Sequence, residues 1–162
     1  MEKVIYFEDL FVGRRFVSEP EEVTEEAIVA FARENDPQYF HLDPHAARDS
    51  MFGGIVASGW QTASATVRHL LYRCGVTFPG GLIGVDTQIS WKRPVRPGDH
   101  LHIQGEITKL RVSRSLPDRG LVTFDGGACD GAGRTVQTLV ATMLVSRDPK
   151  RAKAPDTVSS AP

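Results

Sequence analysis

Apolar and polar positions change their period about halfway along the chain. In the first half, Ala27, Ile28, Phe31 and Ala32 recur at the three- and four-residue spacing of a helix face. Thr24 followed by Glu25 and Glu26 supplies a hydroxyl cap and acids at the positive end of the helix dipole, so the helix starts there. It must end near Asp36, because Pro37 pushes the residue before it out of the α region. Asp43-Pro44 predicts a second helix start, with Asp43 as cap and Pro44 in the first turn, running through His45, Ala46 and Ala47. Between them lies a short constrained segment, Asp36 to His41. Met51-Phe52-Gly53-Gly54 breaks the chain, and a longer helix is expected from Gly59 to Cys74, stopped by Gly75. Its early turns are small (Thr62, Ala63, Ser64, Ala65, Thr66), which lets a sheet enclose it closely. Its later turns place Val67, Leu70, Leu71 and Cys74 on one side.

The second half reads with period two. Val85, Thr87, Ile89 and Trp91 alternate with Asp86, Gln88, Ser90 and Lys92, the pattern of a half-buried strand. A turn follows at Pro94 to Asp99, then a strand carrying Leu101, Ile103 and Ile107 that extends towards Val112. Leu121 to Ala128 reads as the next strand, with a bulge at Gly126-Gly127, and Asp130 to Gly133 has hairpin-turn chemistry. Leu139 to Val145 is apolar on both faces, which places it centrally in the sheet or at a subunit contact. An early strand around Arg14 to Ser18 joins the same sheet. From Arg147 to Pro162 the chain is polar and rich in Ala, Pro, Ser and Lys, so residues 1–146 are expected to form one domain and 147–162 a disordered tail.

A chain of 162 residues with 41% apolar composition can bury a core without staples. Its two cysteines, Cys74 and Cys129, show no metal-site or disulfide spacing. Nineteen basic against twenty acidic residues lack the electrostatic footprint of a nucleic-acid binder. No basic-then-apolar leader opens the sequence, and no apolar run reaches the ~20 residues that span a bilayer. The expectation is a soluble cytoplasmic protein with neither nucleic-acid nor membrane partners.

The densest group of proton-transfer side chains is Asp36-Pro37-Gln38-Tyr39-Phe40-His41-Leu42-Asp43. Residues five apart diverge on an unbroken helix, but Pro37 rules that helix out, so Asp36 and His41 can converge on one water molecule. The plainer alternative is a turn in which Asp36 only ends the helix. Asp43 is read as a helix cap. His41, Asp43 and His45 splay apart if Pro44 starts a helix, so no metal site is expected. Gly59, at a helix start, exposes a backbone N–H able to polarise a carbonyl oxygen, or simply permits close packing. Ser58 lacks the G-x-S-x-G setting of a hydrolase nucleophile, since Val56 stands two residues before it. There is no Walker A or dinucleotide fingerprint. Lys92, Arg93 and Arg96 read first as solvated charges, with contact to a carrier's phosphates as the alternative.

The ordered stretches DPQYFHLDPHAA, FGGIVASGWQT and ISWKRPVRPGDHL resemble the MaoC-like dehydratases, relatives of (R)-specific enoyl-CoA hydratases, over roughly Tyr6 to Ser146. The resemblance implies an α+β hot-dog fold, a curved antiparallel sheet wrapped around a long helix. It also implies reversible syn addition of water to the 2,3 double bond of an acyl-CoA, with no metal or redox cofactor. Because a sheet curled around one helix leaves an open edge or an apolar face, and Leu139 to Val145 is apolar on both sides, a homodimer or larger homo-oligomer is expected. Asp36 and His41 fall on the family's catalytic positions, and Gly59 matches the glycine whose N–H polarises the thioester carbonyl. Gln38 and Tyr39 stand where asparagine and proline are usual, as in a D-P-Q variant branch; with Phe52 and Ser58 they are candidate substrate contacts. Ser58 occupies a position often held by histidine. Val67 stands where some relatives carry a serine supporting the catalytic aspartate, which requires another group here to orient Asp36. Thioester hydrolysis on the same fold, and a non-catalytic acyl-binding module, are the competing readings.

Overall fold

The structure, a computed structural model, describes residues 3–152. Its centre is helix α3 (Gly59–Tyr72), under a sheet whose main strands are β5 (Ile83–Trp91), β6 (His100–Val112), β7 (Arg119–Cys129) and β8 (Thr135–Ser146). With β2 (Arg15–Val17) the strand order is β2-β6-β7-β8-β5, antiparallel throughout, and β3 (Glu21–Glu22) pairs with the start of β6. A parallel two-stranded ladder of β1 (Lys3–Val4) and β4 (Val76–Thr77) closes the far end of the helix. This is the hot-dog arrangement.

The alternating residues of β6, β7 and β8 explain the core. Ile103, Phe124, Leu139 and Val145 point inwards and pack with Leu70 of α3 and Phe16 of β2. Each such side chain contributes roughly 1.5–3 kcal/mol by leaving water. A second apolar cluster, with Ile28, Ala47, Ile55, Val95 and Val136, seats helix α1 (Glu25–Asn35) on the sheet end nearest the N-terminus of α3. The Thr24 side chain caps α1 by accepting from Ala27 N–H at 3.1 Å, as its sequence predicts.

Five expectations need correction. Within the constrained segment, residues Tyr39–Leu42 form a one-turn helix, α2. After Asp43 there is a 3-10 turn, Ala46–Asp49, because Asp43 Oδ1 takes the N–H groups of both His45 and Ala46. The irregularity in β7 lies at Ala128/Cys129. Gly126 and Gly127 serve close approach instead, since a Cβ on either would collide with the carbonyl oxygen of Gln104 or Gln137 on the neighbouring strands.

The fourth correction concerns β5. No residue of this strand is buried, and Ile83, Val85 and Trp91 are 49%, 57% and 44% exposed. It is the sheet edge: Ile89 packs partly against the core and Trp91 against Gly59 and Trp60 of α3, but among the described residues Ile83 and Val85 stay exposed. Strand β8 is central, as its two-sided apolar pattern predicts.

The fifth concerns the tail. Arg147 Nε donates to Glu8 Oε1 at 2.8 Å, the Asp148 N–H donates to Glu8 Oε2 at 2.9 Å, and Arg151 pairs with Asp9. Residues 147–152 therefore dock on the turn Phe7–Asp9, because their charges have acidic partners there. The rest of the expected tail, 153–162, lies outside the described residues. Among the described residues, no helix is long and apolar enough to cross a membrane.

Candidate active site

Asp36 is the C-terminal cap of α1, and His41 sits on α2. The break at Pro37 brings them face to face, with His41 Nε2 3.4 Å from Asp36 Oδ2. Backbone pairing fixes the imidazole. The Val56 N–H donates to the Phe40 carbonyl at 3.2 Å, and His41 Nδ1 bonds the Val56 carbonyl oxygen at 2.6 Å. A carbonyl only accepts, so Nδ1 carries the hydrogen and Nε2 is the nitrogen that faces Asp36. Phe40 meets His41 edge-on and Phe52 at a tilt, closing the apolar side.

Asp36 has two further partners. Gln38 Nε2 donates to Oδ1 at 2.8 Å, and Ser58 Oγ donates to Oδ2 at 2.6 Å. Burial by itself raises the carboxyl pKa, but hydrogen bonds from Ser58 and Gln38 and attraction to His41 outweigh it, holding Asp36 below its ordinary value. It stands as a carboxylate at neutral pH.

Ser58 is fully buried and is also the N-cap of α3, its Oγ accepting from Trp60 N–H at 3.2 Å. One hydroxyl thus ties the start of the central helix to the carboxylate. Gly59 follows as the first helical residue, so its N–H has no partner within the helix, and none occurs among the described residues. Its carbonyl accepts from Trp91 Nε1 at 2.8 Å, and an added Cβ would lie 2.7 Å from the Trp91 indole. Only glycine allows the ring that close.

Asp36, Gln38, His41, Phe52 and Gly59 line one pocket of ≈460 Å³, with Trp60, Trp91, Lys92 and Arg93 around its mouth. Two sequence candidates do not reach it. Tyr39 is 52% exposed on the outer side of α2, since a single helical turn cannot point consecutive residues the same way. Ser58 lies behind Asp36, outside the lining. Val67 is half exposed on α3, so the orienting role falls to Ser58 and Gln38. His41, Asp43 and His45 do not converge, because His41 is committed to Val56 and Asp43 to its capping bonds. Arg96 donates to the Phe52 carbonyl at 2.6 Å, whereas the side chains of Lys92 and Arg93 have no partner among the described residues. Sequence reasoning missed the Ser58–Asp36 bond. Its signal was a serine just before a helix start, a cap whose hydroxyl still has a hydrogen to donate.

Fold and pocket together define a hot-dog protein with a carboxylate–imidazole pair beside a helix N-terminus. The chain belongs to the MaoC-like dehydratase family: the family profile described as MaoC like domain matches residues 11–119. The 3-hydroxybutyryl-CoA dehydratase of Methylorubrum extorquens is 32% identical over 119 residues, 72% of this chain and 69% of that protein. The crystal structure of a MaoC-like dehydratase from Rhodospirillum rubrum is 46% identical, with a TM-score of 0.83 over 90% of this chain and 99% of that one. An (R)-hydratase structure from Pseudomonas aeruginosa is 22% identical with a TM-score of 0.69, covering 89% of this chain and 87% of its own, and supports the fold alone.

Proposed function

We propose that the protein is an (R)-specific enoyl-CoA hydratase, acting in reverse as a 3-hydroxyacyl-CoA dehydratase. The observation that carries this reading is the Asp36 Oδ2–His41 Nε2 pair, 3.4 Å apart, in a pocket that Gly59 also lines. In hydration, a water held by the pair gives a proton to the Asp36 carboxylate as its oxygen attacks the β-carbon. His41, protonated at Nε2, delivers a proton to the α-carbon. Both groups act from one side of the substrate, so the addition is syn. Return of the Asp36 proton to Nε2 resets the pair, and dehydration runs the same steps backwards.

The Gly59 N–H meets the negative charge that develops on the thioester oxygen, a stabilisation present chiefly in the transition state. Lys92 and Arg93, unpaired at the mouth, suit the phosphates of the CoA carrier. The exposed edge of β5 suits pairing with a second copy, giving a homodimer.

The test is a panel of enoyl-CoA and 3-hydroxyacyl-CoA thioesters, following enoyl absorbance and free thiol separately. Loss of absorbance without thiol release supports hydration. Thiol release points instead to hydrolysis, and no change in either contradicts the reading.

A further inference from the structure

A second cavity of ≈230 Å³ adjoins the Asp36/His41 pocket, and the two share Ala57, Thr62 and Val95 as walls. Thr62 lies one turn beyond Gly59 on α3, and Ala65 and Arg68 continue that row in steps of three. The groove therefore runs along the helix away from Gly59, and the row from Gly59 to Arg68 rises about 13 Å. Near its entrance the walls are small or apolar, with Ala65 on α3 beside Ala27 and Phe31 of α1, except for Gln61, whose Nε2 donates to the Ala27 carbonyl at 3.1 Å.

The far end is polar and internally satisfied. Glu21 Oε1 accepts from Arg68 and Arg73, and Oε2 from Arg68 and His69. Both terminal nitrogens of Arg68 are used on Glu21. A carboxylate only accepts, so His69 donates from Nε2, and its Nδ1 accepts from Ser18 Oγ at 2.9 Å. This network offers no unpaired cation to an anionic chain end. Glu22, exposed at the same end and without an ion pair among the described residues, repels one. A long alkyl chain passing over these groups would strip them of water without replacing its hydrogen bonds.

We infer that this groove seats the acyl tail and that the substrate is an uncharged enoyl thioester of short to medium length; the inference rests on the hydratase reading. With the reacting carbons in the first pocket, the run of about 13 Å to Arg68 bounds the tail to short or medium length.

The experiment compares crotonyl-, octenoyl- and hexadecenoyl-CoA, and an octenoyl-CoA carrying a terminal carboxylate, on the wild type, Ala65→Leu and Ala27→Leu. The wild type is expected to prefer octenoyl-CoA over both the hexadecenoyl and the carboxylated thioester. Filling the groove from either wall should lower the octenoyl-to-crotonyl ratio of kcat/KM by ~10-fold or more. Equal use of hexadecenoyl-CoA, or a ratio unchanged in both variants, overturns the inference. Calorimetry with octanoyl-CoA and acetyl-CoA gives the same decision without turnover: the groove predicts tighter octanoyl binding that Ala65→Leu abolishes, and equal binding refutes it. If the wild type hydrates none of the thioesters, the hydratase reading fails while calorimetry still judges the groove.

Discussion

The Ser58 hydroxyl donates to Asp36 Oδ2 at 2.6 Å across 22 residues of sequence, while the same oxygen caps the helix that begins at Gly59. The position of the carboxylate and the start of the central helix are thus set by one side chain. Ser58→Ala removes a hydrogen bond to the charged form, so the Asp36 pKa must rise towards its ordinary value. The acid limb of the kcat/KM profile should move to higher pH, and turnover at neutral pH should fall by about tenfold. Ser58→Thr, which keeps the hydroxyl, should restore the limb. A profile that stays in place in Ser58→Ala would remove Ser58 from the account.

Gly59 is squeezed by a tryptophan. In Gly59→Ala the new Cβ would sit 2.7 Å from the Trp91 ring, so the variant should lose activity although its N–H remains. Overpacking of this kind costs about 1–3 kcal/mol. Adding Trp91→Leu relieves the clash and should recover stability, read as a higher Tm for the double variant than for Gly59→Ala alone. A Tm equally low in both would place the cost elsewhere.

At the other end of α3, burial raises the Glu21 pKa, but the bonds from Arg68, His69 and Arg73 overcome it and bring the group down to about 2. A depressed carboxylate stabilises the fold above its unfolded value of 4.5, and that contribution is lost as pH falls from there towards 2. Glu21→Gln should therefore be less stable than wild type at pH 7, with the gap closing towards pH 2, as denaturant midpoints will show. A gap independent of pH would refute the linkage.

Edge strand β5 predicts a dimer. Light scattering should give about 36 kDa, twice the 17.8 kDa chain, and Val85→Lys should shift it towards the monomer. A monomer in the wild type would contradict the prediction.

Much of this was legible in the sequence, for local reasons. Pro37 forbids the helix that would have separated Asp36 from His41, and the run Thr62 to Thr66 announces a helix that a sheet can enclose. What was not legible depends on tertiary placement. An alternating pattern in Val85 to Trp91 shows that the strand has an apolar face, but not whether the same chain covers it. The docking of Arg147 depends on Glu8, at the opposite end of the chain, and nothing periodic announces such a pair. Tyr39 adjoins Phe40 in sequence, yet only Phe40 turns into the pocket, because consecutive helical residues point about 100° apart.

The most direct test of the central claim is turnover by Asp36→Asn, His41→Ala and the double variant on whichever thioester the panel identifies. Positioned acid and base groups contribute typically ~10²–10⁴-fold each, so each single variant should lose most of its kcat while substrate binding is largely kept. Because both groups act on one water, the double variant should be little slower than the worse single one. If Asp36→Asn and His41→Ala both remain within a few-fold of wild type, the proposed chemistry does not occur at this pair.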